Sequence, residues 1–174
     1  YAPAHLHRNR KNVENEAGND PDYYITDAIS SEATRMIRAT PADKPLFLYV
    51  AYTAAHWPLH AKSADIEPYH GKYSMGWDQL RKQRLQRMKE LGILKPESEL
   101  SPRHPQVPSW KDENNQAWQQ RRMEVYAAQV TAMDRGIGRI ITTLKDTGKL
   151  ENTLILFTID NGGCHVEYGA NRKG

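Results

Sequence analysis

Leu154-Ile155-Leu156-Phe157-Thr158-Ile159-Asp160-Asn161-Gly162-Gly163 decides the fold. The stretch is a run of apolar and β-branched residues that stops abruptly at an acid, an amide and two glycines. A continuous apolar run of this length, bounded by turn residues, reads as a strand buried on both faces, and such strands belong to parallel sheets covered by helices. In open α/β sheets, ligands sit just beyond the carboxyl ends of the strands, where Asp160 and Asn161 stand. Gly162 and Gly163 supply the φ freedom for the chain to turn there. A carboxylate beside an amide oxygen is a pair of hard donors suited to Ca²⁺ or Mg²⁺. The same four residue types are also the commonest turn formers, and on local chemistry alone a plain turn is the simpler reading.

Working back along the chain, Gln116 to Leu144 carries Trp118, Tyr126, Val130, Met133, Ile137, Ile140, Ile141 and Leu144 at spacings of three and four. That pattern predicts one long amphipathic helix with an apolar stripe toward the core. At about 1.5 Å per residue it spans roughly 40 Å. Gly136 and Gly138 each cost about 1 kcal/mol against alanine in a helix, so both point to close approach of a neighbour. Asp134 lies near the stripe and reads as a buried hydrogen-bonding or ion-pairing residue. Gly148 ends the helix.

A second buried-strand pattern is Leu46-Phe47-Leu48-Tyr49-Val50-Ala51-Tyr52, preceded by a helix that Thr26 or Asp27 can cap, with Ile25, Ile29, Ala33, Met36 and Ile37 at helical spacing. Helix followed by buried strand is the α/β signature. His56 falls just past the carboxyl end of this strand, as Asp160 does past the other. If the strands share one parallel sheet, His56 and Asp160 line the same edge. A histidine there can move a proton, bind an anion or ligate a metal, and it can equally be a loop residue stacked on Trp57. His60 reads as a loop hydrogen-bonding residue.

The remaining segments say less about chemistry. Trp77 to Leu91 predicts a helix stopped by Gly92, strongly basic through Arg81, Lys82, Arg84, Arg87 and Lys89. A solvated face explains it more simply than an anionic partner. Lys95 to Pro108 holds four prolines and reads as a loop. Tyr1 to Pro21 is polar and aperiodic. Its His5-Leu6-His7 is a weak metal candidate without a third partner. The chain divides into 22–61 (helix, strand and histidine loop), 62–115 (loop and basic helix) and 116–174 (long helix, strand and acid–amide loop).

Composition bounds the function classes. The 174 residues are 39% hydrophobic with a formal charge of +3. That apolar content is below the usual figure of about 45–50%, so the chain reads as part of a larger domain. The charge is too small to imply a nucleic-acid partner. The single cysteine, Cys164, excludes an internal disulfide. No run of about 18 apolar residues occurs, so no membrane-spanning segment is expected. The chain starts at Tyr1 without methionine and ends at Gly174 just after the acid–amide loop, so both ends read as cuts.

Taken together, the segments resemble the type I sulfatases, in the arylsulfatase branch of the alkaline-phosphatase-like superfamily. Four stretches carry the likeness: Tyr24-Ile25-Thr26-Asp27-Ala28; Lys44-Pro45 through Tyr52 to Ala55-His56-Trp57-Pro58-Leu59-His60-Ala61; Gly71-Lys72-Tyr73 through Trp77-Asp78 and Arg81 to Gly92; and Arg122 to Ala128, Asp134, Ile137 to Ile140 and Asp160-Asn161-Gly162-Gly163-Cys164. The family usually has Ala-Pro-His where this chain has Ala55 before His56. The likeness covers nearly everything beyond about residue 20. It implies a sandwich with a mostly parallel central sheet flanked by helices, of which this chain is the middle portion of one catalytic domain.

The resemblance further implies that Asp160 and Asn161 are two ligands of a divalent cation, Ca²⁺ first with Mg²⁺ as the alternative. His56 would contact the sulfate ester and help protonate the leaving alcohol. The family nucleophile is a formylglycine made from cysteine in a Cys-x-Pro-x-Arg or Cys-x-Ala-x-Arg setting. Cys164, followed by His165-Val166-Glu167-Tyr168, does not fit that pattern. The paired aspartates of the cation site and the nucleophile are expected upstream, and a family lysine downstream, Lys173 being too close to Asp160. The expected substrate is a small sulfate ester or sulfated sugar, the expected partner the remainder of the parent chain, and the expected compartment periplasmic or secreted. Taken alone the fragment is expected to be inactive. A phosphate or phosphonate ester hydrolase of the same superfamily and a non-catalytic polyanion-binding module using the basic helix are the alternatives.

Overall fold

Ser30 and Gly136 mark a close approach between two helices. A computed structural model describes residues 5–163, and its core is the crossing of two helices, α2 (Ile25–Ala39) and α5 (Gln116–Asp146). Before them come a two-stranded antiparallel hairpin, β1 (His7–Arg8) and β2 (Lys11–Asn12), and a short helix α1 (Glu14–Gly18). Between them lie α3 (Ser63–Ile66) and α4 (Gly76–Glu90). The hairpin lies within the polar, aperiodic start of the chain. Asn9 and Arg10 both adopt positive φ, which lets a two-residue turn follow the strands' right-handed twist.

Helix α2 buries Thr26, Ser30, Ala33 and Ile37, and leaves Met36 exposed. Its N-cap is Tyr24, with no side-chain cap, so neither Thr26 nor Asp27 caps it. Thr26 turns into the core, while Asp27 accepts a hydrogen bond from Lys62 Nζ at 2.8 Å. On α5 the expected stripe is not the buried face. Glu124, Ala128, Ala132 and Gly136, one turn apart, are buried with Gln129, Thr143 and Leu144. Trp118, Tyr126, Val130 and Ile141 are exposed. Small residues win this face because α2 and α5 approach closely. A Cβ on Gly136 would lie 2.2 Å from Ser30 Oγ. Gly138 has nothing within 4 Å, so its expected close approach is absent. Asp134 is exposed rather than buried.

The two apolar runs also depart from expectation. Neither 46–52 nor 154–159 joins a ladder among the described residues. Phe47 is 94% exposed and Leu154 84%. A strand buried on both faces needs a strand at each edge and helices above and below. The described residues offer no such neighbours, so the apolar composition marks where burial is wanted without supplying it.

The helix ends follow the sequence. Gly92 and Gly148 take φ of +69° and +67° just past α4 and α5, the left-handed conformation that closes a helix at glycine. Helix α4 is anchored near its start. Trp77 packs edge-on against Trp110 at 4.8 Å, and Asp78 accepts from Trp110 N at 2.7 Å and from Arg103 Nε at 3.1 Å. The Trp110 amide and Arg103 together hold the Asp78 carboxyl below its ordinary range. Among the described residues, no helix is long and apolar enough to cross a membrane.

Candidate functional site

The loop after the first apolar run is clamped from two sides. His56 N closes a turn onto Thr53 O at 2.9 Å. Tyr24, buried at the start of α2, donates its hydroxyl to His60 O at 2.9 Å and sets its ring 5.6 Å from the His60 ring. From α5, the Arg122 guanidinium lies over the Trp57 ring at 4.6 Å. Beneath the loop, Arg135 grips Asp65 through both Nη atoms at 2.5 and 2.9 Å, which holds α3 against α5. These hydrogen bonds keep the Asp65 carboxyl below and the Arg135 guanidinium above their ordinary values. Burial lowers the pKa of His60 and favours its neutral form.

His56 Nδ1 lies 2.8 Å from Trp57 O. A carbonyl oxygen only accepts, so Nδ1 carries a hydrogen and donates it. His56 itself is exposed.

The second lip is the end of the other apolar run. Asp160 Oδ1 accepts from Asn161 N at 3.0 Å, and Asn161 Nδ2 donates to Gly162 O at 2.7 Å. This is the local turn that the four residue types favour. The turn geometry and the cation reading are compatible. With Nδ2 tied to Gly162, the Asn161 amide oxygen is the end left to meet a ligand, and Asp160 Oδ2 takes no part in the turn. Two hard oxygens side by side fit Ca²⁺ or Mg²⁺ chemically, but a complete cage needs more donors. Among the described residues no group of three or more His, Cys, Asp or Glu stands close enough to hold an ion.

Both lips open onto one cavity of about 580 Å³, lined by His56, Asp160 and Asn161 together with Tyr52, Trp57, Tyr126 and Gln129. The sequence pointed to His56, Asp160 and Asn161, and all three meet here. Tyr52, Tyr126 and Gln129 escaped notice. Tyr126 stands in the apolar stripe of α5, and Gln129 is a lone polar residue between apolar neighbours. Its only signal was that position. A second hollow of about 460 Å³, between α2 and α5 at Thr34, Arg38 and Arg139, contains none of the candidate residues. Cys164 and Lys173 lie outside the described residues.

Comparison with known proteins shows the family. A family model described as Sulfatase matches residues 3–174. An arylsulfatase of Klebsiella aerogenes is 36% identical over 143 residues, which cover 81% of this chain and 31% of that protein. An uncharacterized sulfatase of Schizosaccharomyces pombe is 36% identical over 145 residues, 81% of this chain and 26% of its own length. The uncharacterized sulfatase YdeN of Escherichia coli is 28% identical over 163 residues, 93% of this chain and 20% of that protein. The chain belongs to the sulfatase family, and with it to the alkaline-phosphatase-like α/β fold. It spans 20–31% of the length of these curated relatives.

Proposed function

We propose that the protein carrying this chain is a sulfuric ester hydrolase acting on small sulfate esters of an aryl alcohol or a sugar. The observation that carries the reading is the convergence of His56, Asp160 and Asn161 on one cavity in a chain of the sulfatase family. Asp160 and Asn161 would hold a divalent cation, Ca²⁺ in the first place, with further ligands from outside the described residues. Such a cation polarises the sulfate and offsets charge that develops in the transition state. His56, its Nδ1 held by the Trp57 carbonyl, presents Nε2–H to the leaving oxygen and protonates the departing alcohol. The exposed apolar runs 46–52 and 154–159 would be central strands of the family's sheet, completed by neighbours outside this chain. No cysteine in a formylglycine-forming pattern stands in the 174 residues. The nucleophile therefore comes from elsewhere in the protein, and the 174 residues alone are not expected to turn over ester.

Asp160→Ala in the full-length protein tests the assignment. The variant should bind Ca²⁺ more weakly by titration calorimetry and lose turnover of an aryl sulfate. Wild-type turnover in the variant removes the metal role. Faster hydrolysis of the matching aryl phosphate than of the sulfate by the unmutated protein removes the sulfatase reading.

A further inference from the structure

Gln129 is a buried cleft residue whose chemistry the reading above leaves unused. It sits on α5 one turn beyond Tyr126, lines the cavity with His56 and Asp160, and is only 3% exposed. Its Oε1 is shut off from solvent and accepts no hydrogen bond among the described residues. Ser30, Glu124 and Thr143, also buried on the two core helices, are differently placed. Ser30 bonds Thr26 and Tyr52, Glu124 takes three donors, and Thr143 bonds Arg139. An orphaned buried acceptor costs about 1–3 kcal/mol, and an apolar side chain of the same length would avoid that cost. Such a group beside a cleft signals a partner that arrives with the ligand.

The chemistry of the ester says which part of the ligand that is. A sulfate monoester carries only acceptor oxygens on sulfur at neutral pH, so an acceptor such as Oε1 cannot recognise it. The donor must be on the alcohol half. Aromatic rings, Tyr24, Tyr52, Trp57 and Tyr126, line the same cavity, and their faces suit a ring. The terminal amide torsion of glutamine is soft, so a turn about it swings the oxygen toward an incoming hydroxyl. We propose that Gln129 is a specificity-determining residue. Its side-chain oxygen accepts a hydrogen bond from a hydroxyl neighbouring the sulfate on the ring of the alcohol. The cleft thereby selects hydroxylated rings over bare ones. This rests on the sulfatase reading of the same cavity.

The test compares the full-length protein with Gln129→Met on two probes, nitrocatechol sulfate, which carries a hydroxyl beside the sulfate, and para-nitrophenyl sulfate, which lacks it. Loss of one neutral hydrogen bond lowers kcat/KM for nitrocatechol sulfate about 5- to 20-fold, while para-nitrophenyl sulfate stays within about twofold. Ca²⁺ affinity should not change, and the urea midpoint should hold or rise because an orphaned acceptor is gone. An equal loss on both probes, or no loss on either, overturns the proposal and assigns the oxygen to a resident water. A drop in Ca²⁺ affinity overturns it in favour of a ligand to the cation. If the unmutated protein hydrolyses neither probe, the aryl-sulfate reading fails and takes this one with it. Gln129→Leu, equally apolar, gives the same comparison should Gln129→Met not fold.

Discussion

Adding a single methyl group at position 136 tests whether the α2–α5 contact organises the molecule. A Cβ on Gly136 meets Ser30 Oγ at 2.2 Å, Tyr52 Oη at 2.9 Å and Ser30 Cβ at 3.2 Å. The first two approaches are shorter than real Cβ contacts allow, so the helices must part or Ser30 must leave its rotamer. Ser30 is wholly buried, donates to Thr26 O at 2.9 Å and shares a hydrogen bond with Tyr52 Oη at 2.9 Å, so it has nowhere to go without breaking bonds. Overpacking of this kind costs about 1–3 kcal/mol. Each hydrogen bond lost adds about 0.5–1.5 kcal/mol. Against these stands the helix-propensity gain of alanine over glycine, about 1 kcal/mol. Crowding wins, and Gly136→Ala should destabilise by about 1–4 kcal/mol. Gly138, two residues on, is exposed with nothing within 4 Å. Only the propensity term applies there, so Gly138→Ala should stabilise by about 0.5–1 kcal/mol. Urea unfolding followed by far-UV circular dichroism measures both. Because Tyr52 lines the cavity, Gly136→Ala should also lower turnover, whereas Gly138→Ala should not. A Gly136→Ala variant as stable as the unmutated protein would refute the packing argument, as would two variants shifting in the same direction.

His56→Ala should lower turnover of an aryl sulfate about 10²- to 10⁴-fold if its Nε2 protonates the leaving alcohol, and unchanged steady-state kinetics would make it a structural loop residue. Glu124 offers a pH test. Burial pushes its pKa up, but hydrogen bonds from Gly71 N, Arg121 and Gln120 outweigh this and hold it below the ordinary value of 4.5. A carboxyl lowered by folding stabilises fully above its unfolded value and loses that contribution as pH falls through the folded one. Glu124→Gln should therefore be less stable than the unmutated protein at neutral pH by about 1–3 kcal/mol. The gap should narrow as the pH drops below 4.5. Urea midpoints that differ by the same amount at both pH values would exclude the charged role.

Local structure was legible in the sequence wherever a short-range rule decides it. The helix spans, the glycine stops at Gly92 and Gly148 and the proline-rich loop are visible in spacing and residue type alone, because backbone preferences act within a few residues. The acid–amide turn at Asp160-Asn161 and the histidine beyond the first apolar run were visible for the same reason. Periodicity tells which residues share a face of a helix, not which face meets a partner. On α5 the large apolar residues form the conspicuous stripe, yet Ala128, Ala132 and Gly136 are the buried ones, Gly136 directly against Ser30 of α2, because close helix packing rewards small side chains. The same long-range choice separates Gly136 from Gly138, which read identically in sequence. Apolar content likewise located the two extended runs without burying them, since burial depends on neighbouring strands that a single segment cannot specify. Gln129 was illegible for a further reason. Its place on the cavity wall and its unpartnered oxygen depend on how segments far apart in the chain come together. The amino-acid sequence alone determined the long helices and the chemistry at the ends of the apolar runs. The tertiary structure decided which faces close on each other and so which side chains share a cleft, because contacts between distant segments are set by shape and space rather than by local preference.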